Sequence, residues 1–281
     1  MNKFFDKIYV ISLVSNKERQ EFIKYQMNEL GLEFEFIYGI DFDNLSFDKN
    51  QNNIEYPDLC KEQFNLNNNR MYSCTIAHYQ AVLQAYEFGY NNILIIEDDI
   101  CFIKDKNLIE YYLNNIPKDA DFITYAPRFI DLDEIKSFIN IIENNKNNKY
   151  IEIPNDYYTL NGGMMIGIMN RKTMELYLNS QRSMFNTSDW VNGIFRNSQI
   201  KRYTIYECIC LDQYHIVKYN NDINLIKNCN NYDFCYEICN FIKNPTNFYQ
   251  SNFEELSNIN FKLQEDIFEN QRSIKNFKFN E

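Results

Sequence analysis

An α/β fold with a mostly parallel central sheet follows from three observations on this sequence. Short β-rich runs alternate with segments of helical periodicity through the first two thirds of the chain. The first three segments read strand, helix, strand, which implies a parallel pair joined by a right-handed crossover. The run Ile93-Leu94-Ile95-Ile96 is apolar without alternation, the pattern of a strand buried on both faces.

The elements follow in order. KIYVISL (7–13) is the first strand. In SNKERQEFIKYQMNELG, Ser15 offers an N-cap, Phe22, Ile23, Met27 and Leu30 fall at helical spacing, and Gly31 marks the stop. FEFIYGI (34–40) is the second strand. Residues 41–70 are polar and Asn-rich and read as a surface excursion, followed by a helix over 71–89 that stops at Gly89. NNILIIEDDI then supplies a strand, NLIEYYLNNIP a helix ended at Pro117, and DFITYA (121–126) a further strand. Residues 131–149 are helical at first and then Asn/Lys-rich; 157–169 read as a strand pair or a strand bent at Gly162-Gly163, and RKTMELYLNS as a helix. With no linker in sight, residues 1–220 are expected to form one catalytic-sized domain, with 221–281 a C-terminal extension packed on it.

Composition narrows the function classes. The 281 residues are 45% hydrophobic and 16% aromatic, a globular balance. A net charge of -11 argues against a general nucleic-acid binder, which needs basic groups to replace phosphate counterions. No segment approaches the roughly 18 apolar residues of a membrane span. The opening MNKFFDKIYVISLV is too short and too charged for a secretory signal. The 8 Cys contain no CxxC pair, so a reducing, cytoplasmic setting is expected. Cys208, Cys210, Cys235 and Cys239 are spaced unlike the common structural zinc sites.

Glu97, Asp98 and Asp99 stand at the carboxyl end of the ILII strand, where open α/β sheets gather their ligands. If the chain stays extended through the triplet, Glu97 and Asp99 share a face and Asp98 points away. Such a carboxylate pair suits Mg²⁺ or Mn²⁺, and the ion in turn suits an anionic substrate that an acidic protein cannot otherwise hold. The alternative is that the acids merely begin a turn or a helix.

Three stretches, in order, resemble glycosyltransferase family 25, the lipopolysaccharide-type and collagen galactosyltransferase-like enzymes. They are IYVISLVSNKERQEFIKYQMNELGLEFEFIYGID, then MYSCTIAHYQAVLQAYEFGYNNILIIEDDI, then YYTLNGGMMIGIMNRKTMELYL with SDWVNGIF and CLDQ. The resemblance implies a GT-A-like, Rossmann-type sandwich, a nucleotide-sugar donor such as a UDP-sugar, a divalent cation, and inversion during transfer to a glycan or other hydroxyl acceptor. Carried over by residue, it implies metal binding at Glu97, Asp98 and Asp99, with Asp99 foremost. It places the helix histidine on His78, the arginine of the first block on Arg19, the aspartate after the second strand on Asp41, and a later aspartate on Asp189. Ala77 stands where the family has Ser, and the Pro preceding the later Asp is absent.

Each of these residues has a plainer reading beside the functional one. Asp189 is either the base that deprotonates the acceptor or a helix cap, and Trp190, the one Trp, offers a flat face to an acceptor sugar. His78 is a donor-site or a core histidine, and His215 a further metal ligand or a structural residue. Arg19, with Lys17, reaches donor phosphates or is a solvated helix charge. Asp41 accepts from ribose or uracil or caps a loop. Gly162 and Gly163 admit the donor close to the backbone or mark a bulge. Two rival functions are a nucleotidyltransferase, disfavoured because SLVSNKER lacks glycine, and a non-catalytic sugar- or partner-binding domain.

Overall fold

The computed structural model describes residues 4–39, 69–125, 141, 144–145, 148–154, 166–181, 195, 199–205 and 209–212. Their elements run β1 (Lys7–Leu13), α1 (Lys17–Leu30), β2 (Glu35–Gly39), α2 (Asn69–Glu87), β3 (Asn92–Glu97), β4 (Ile100–Phe102), α3 (Lys106–Asn114), β5 (Phe122–Thr124), β6 (Tyr150–Ile153), β7 (Ile166–Asn170), α4 (Arg171–Gln181), β8 (Arg202–Ile205) and β9 (Cys210–Asp212). Seven strands form one sheet in the order β2-β1-β3-β7-β5-β8-β6, and β4 pairs separately with β9.

The α/β class therefore holds, and one detail of the expectation needs correction. The sheet is mixed: β1 is parallel to β2 and β3, and β5 to β8, but β7 runs antiparallel to both β3 and β5, as does β6 to β8. Inserting β7 the opposite way between β3 and β5 is what breaks the parallel run. Gly167 permits that insertion, since a Cβ there would lie 3.1 Å from the Ile123 carbonyl and 3.3 Å from the Phe122 ring.

Alternation along β1 and β3 builds a core on each side. Ile8, Val10, Leu94 and Ile96 meet Phe22, Ile23, Met27 and Leu30 of α1, and Ile109, Tyr112 and Leu113 of α3. Tyr9, Ile11, Ile93 and Ile95 meet Ala77, Ala81, Val82 and Ala85 of α2, and Met174, Tyr177 and Leu178 of α4. The three alanines at four-residue spacing give α2 a flat, fully buried seam that lies close on the sheet. Helices α1 and α2, on opposite faces, flank a strand order of 2-1-3, so the sheet reverses its winding at β1 and β3. In open α/β sheets that reversal opens a crevice at the strands' carboxyl ends.

Helix α1 ends as its sequence indicates. Gly31 takes the left-handed conformation at φ 64°, and its N–H reaches the carbonyls of Asn28 and Met27. Its start differs from expectation: the N-cap is Asn16 rather than Ser15, with no capping hydrogen bond from its side chain. The Asn16 amide is instead drawn toward Asp98, at 3.5 Å.

Candidate functional site

The crevice is built from the ends of β1 and β3 and the first turn of α1. Strand β3 ends at Glu97, and Asp98 and Asp99 form a turn before β4. Pairing with β1 persists one residue into the turn, because the Asp98 N–H donates to the Ile11 carbonyl at 3.0 Å. Gln20, buried on α1, donates to the Leu13 carbonyl at 2.6 Å and so ties the end of β1 to the helix.

Strand alternation then sorts the acids. Glu97 continues the face of Ile93 and Ile95 and meets α2, where His78 Nε2 lies 2.8 Å from its Oε1 and the Cys74 thiol donates to the same oxygen at 3.5 Å. Asp98 continues the face of Leu94 and Ile96 and meets the α1 side. It is 5% exposed, accepts from the Ser12 hydroxyl at 2.6 Å, and accepts from Arg19 Nη1 at 3.2 Å. Asp99 lies 3.6 Å from the same guanidinium nitrogen. The premise of a continuous extended triplet is thus overturned. The chain turns after Glu97, and Asp98 and Asp99 share Arg19 as an ion-pair partner.

Arg19 is the cation at this turn. Burial alone would lower its pKa, but the charges of Asp99 and Asp98 and the Asp98 hydrogen bond outweigh burial and raise it further above its ordinary value. The guanidinium is therefore charged at every pH the protein meets. The Arg19 charge is set against those of Asp99, Asp98 and Glu97. The donor set, carboxylates on a tight turn at a strand end, fits a hard divalent ion. Within it Asp98 is committed to Ser12 and Arg19, whereas Asp99 meets Arg19 only beyond hydrogen-bond length.

Of the residues singled out in the sequence, the fold brings together Arg19, His78, Glu97, Asp98 and Asp99. Asp41, Gly162, Gly163, Asp189, Trp190 and His215 lie outside the described residues, as does the boundary at residue 220. Sequence reasoning missed Ser12, Gln20 and Cys74. Ser12 had a signal, being the polar residue that interrupts the apolar β1 run on the face later taken by Asp98. Cys74 had one too, four residues before His78 on the same helix.

An acidic turn at the winding reversal of an α/β sheet stands where folds of this class gather their ligands. A family model described as glycosyltransferase family 25 (LPS biosynthesis protein) matches residues 5–172, and the chain belongs to that family. The match covers β1 through the start of α4 and so includes the whole acidic turn and both helices that serve it. Among solved structures the chain is similar to a glycosyltransferase involved in the glycosylation of the major capsid of PBCV-1. That likeness has 9% identity and a TM-score of 0.40 over 74% of this chain and 92% of the other. No curated protein matches the sequence. Among the described residues no helix is long and apolar enough to cross a membrane.

Proposed function

We propose that the protein transfers a hexose or N-acetylhexosamine from a UDP-sugar to a hydroxyl of a glycan or protein side chain, with inversion, in the cytoplasm. The observation that carries this reading is the acidic turn at the carboxyl end of β3, set in the crevice of a family 25 glycosyltransferase. A Mn²⁺ or Mg²⁺ ion, when bound, neutralises charge on the departing diphosphate. Asp99 is its principal ligand, with Glu97 and His215 as further candidates.

The protein's own residues divide the remaining work. Asp98 holds the turn against β1 and α1 through Ser12 and Arg19, which fixes where Asp99 points. Arg19, already charged and at the crevice, is placed to meet donor phosphates. His78 sets the position of Glu97. Asp41 contacts the nucleoside, Gly162 and Gly163 let the donor approach the backbone, and Trp190 stacks on the acceptor sugar. Asp189 takes the acceptor hydroxyl's proton as its oxygen bonds to the anomeric carbon. The bond from that carbon to the diphosphate breaks, and UDP leaves.

A panel of UDP-sugars incubated with and without Mn²⁺ tests the reading, with donor hydrolysis or transfer as the readout. Metal-dependent consumption of at least one donor is expected. Failure of every donor, together with no Mn²⁺-dependent UDP binding in calorimetry, would overturn it.

A further inference from the structure

We propose that Cys74, His78 and Glu97 form a site for a zinc-class transition-metal ion, distinct in chemistry from the carboxylate seat at Asp99. Cys74 and His78 are one helical turn apart on α2, and Glu97 is the last residue of the strand beneath them. One donor atom from each lies within 4.8 Å of the others. The thiol sulfur and the His78 nitrogen both converge on the same oxygen, Glu97 Oε1, at 3.5 and 2.8 Å.

Those spacings are close to what zinc requires. Tetrahedral bonds of about 2.3 Å to sulfur and about 2.0–2.1 Å to nitrogen and oxygen put sulfur and oxygen about 3.6 Å apart, and nitrogen and oxygen about 3.4 Å apart. The Cys74–Glu97 spacing already agrees, and the His78–Glu97 contact needs to open by about half an ångström. A thiolate, an imidazole and one carboxylate favour zinc-class ions over Mg²⁺ or Mn²⁺, which prefer all-oxygen shells. Three protein ligands leave a fourth position open.

Without an ion, the Glu97 oxygen accepts from both the imidazole and the thiol; zinc would replace those two protons with one shared ion. His78 Nδ1 is buried without a hydrogen-bond partner. The ion would sit on the α2 side of the acidic triplet, whereas the ion pairs of Arg19 with Asp98 and Asp99 lie on the α1 side. His78 is wholly buried while the Glu97 side chain is 21% exposed, so the site has one edge open to solvent.

The test uses the full chain, stripped with chelator and reloaded with Zn²⁺ or Co²⁺ before dialysis. One equivalent is expected to remain, with a thiolate-to-cobalt charge-transfer band. Cys74→Ala and Cys74→Ser should lose the band and weaken Zn²⁺ binding by about tenfold or more, and His78→Gln should weaken it similarly. Circular dichroism of the metal-stripped Cys74→Ser variant, expected to match the parent, separates lost ligation from lost folding. Cys235→Ala with Cys239→Ala should change nothing. Zinc that is not retained by the parent chain, or that survives Cys74→Ser but not the Cys235/Cys239 change, overturns the proposal. Glu97 is a candidate ligand in both readings, but Asp99→Ala should keep its zinc while losing Mn²⁺-dependent UDP binding, so the failure of one is told from the failure of the other.

Discussion

Asp98 and Asp99 are neighbours with opposite duties, and substitution should separate them. Asp98 is buried and accepts charge-assisted bonds from Ser12 and Arg19. Replacing it by Asn keeps the shape and removes the charge, so Asp98→Asn should cost about 1.5–3 kcal/mol in urea unfolding. Asp99→Ala removes one of three crowded acids and its 3.6 Å ion pair with Arg19. It should shift stability by less than about 1 kcal/mol, as a partly exposed ion pair does, yet abolish Mn²⁺-dependent UDP binding in calorimetry. Unchanged UDP binding would remove Asp99 from the site. The acidic motif itself was readable, because three consecutive acids after an apolar strand are conspicuous. Their division of labour was not, since it depends on a turn that strand periodicity extrapolates straight through.

At the scale of elements, α1 carries an anchor as consequential as its apolar face. Gln26 is fully buried; its amide donates to the Ile100 carbonyl at 2.9 Å and its oxygen accepts from the Phe102 N–H at 2.8 Å. The two bonds satisfy the edge of β4 that β9 does not reach, and so fix the chain as it leaves the acidic turn. Gln26→Ala strands both backbone groups and should destabilise by about 2–6 kcal/mol, taking the unmet bonds at about 1–3 kcal/mol each. Thermal or urea unfolding reads this directly, and a change below about 0.5 kcal/mol, the noise of surface substitutions, would refute the anchoring role. The sequence showed β1, α1, β3 and α4 clearly because β1 and β3 are β-rich apolar runs and α1 and α4 are longer segments of helical spacing. It did not show β4, β6, β8 or β9, which are only three or four residues long. In β8 the misleading residue is Arg202, wholly buried with its guanidinium donating to the Pro154 carbonyl at 2.8 Å. A charged residue in a short run reads as surface until its partner is known.

At the scale of the whole molecule, the sheet is pinned at the end away from the crevice by Asp121, just before β5. Its carboxylate accepts from Lys172 at 2.9 Å, from the Lys201 N–H at 3.0 Å and from Asn170 at 2.8 Å, which joins α4, β7 and the approach to β8. Burial alone would raise the Asp121 pKa, but these partners outweigh it and hold it below the ordinary carboxylate value. A carboxylate lowered in the folded state adds stability that is complete above its unfolded pKa of about 4. That contribution is lost as pH falls through the lower folded value. Asp121→Asn should therefore be less stable than the parent at neutral pH, and the gap should narrow as urea unfolding is repeated from about pH 4 downward. A gap independent of pH would show that the carboxylate's charge is not what pins this end. Glu35, lowered by its hydrogen bond from Lys7 on the neighbouring strand, adds to the same acid sensitivity.

Because both faces of β3 are apolar, each acid's address is fixed by counting from Ile93: four residues on lies the face of His78, five residues on the face of Arg19. A single inserted residue within the strand would swap those addresses and send each apolar residue that follows it to the opposite core. The interval between the apolar run and the acids is therefore a frozen word length. Divergent relatives can exchange the letters of the run for other apolar ones, but a gap opened inside it would be a misalignment rather than a mutation.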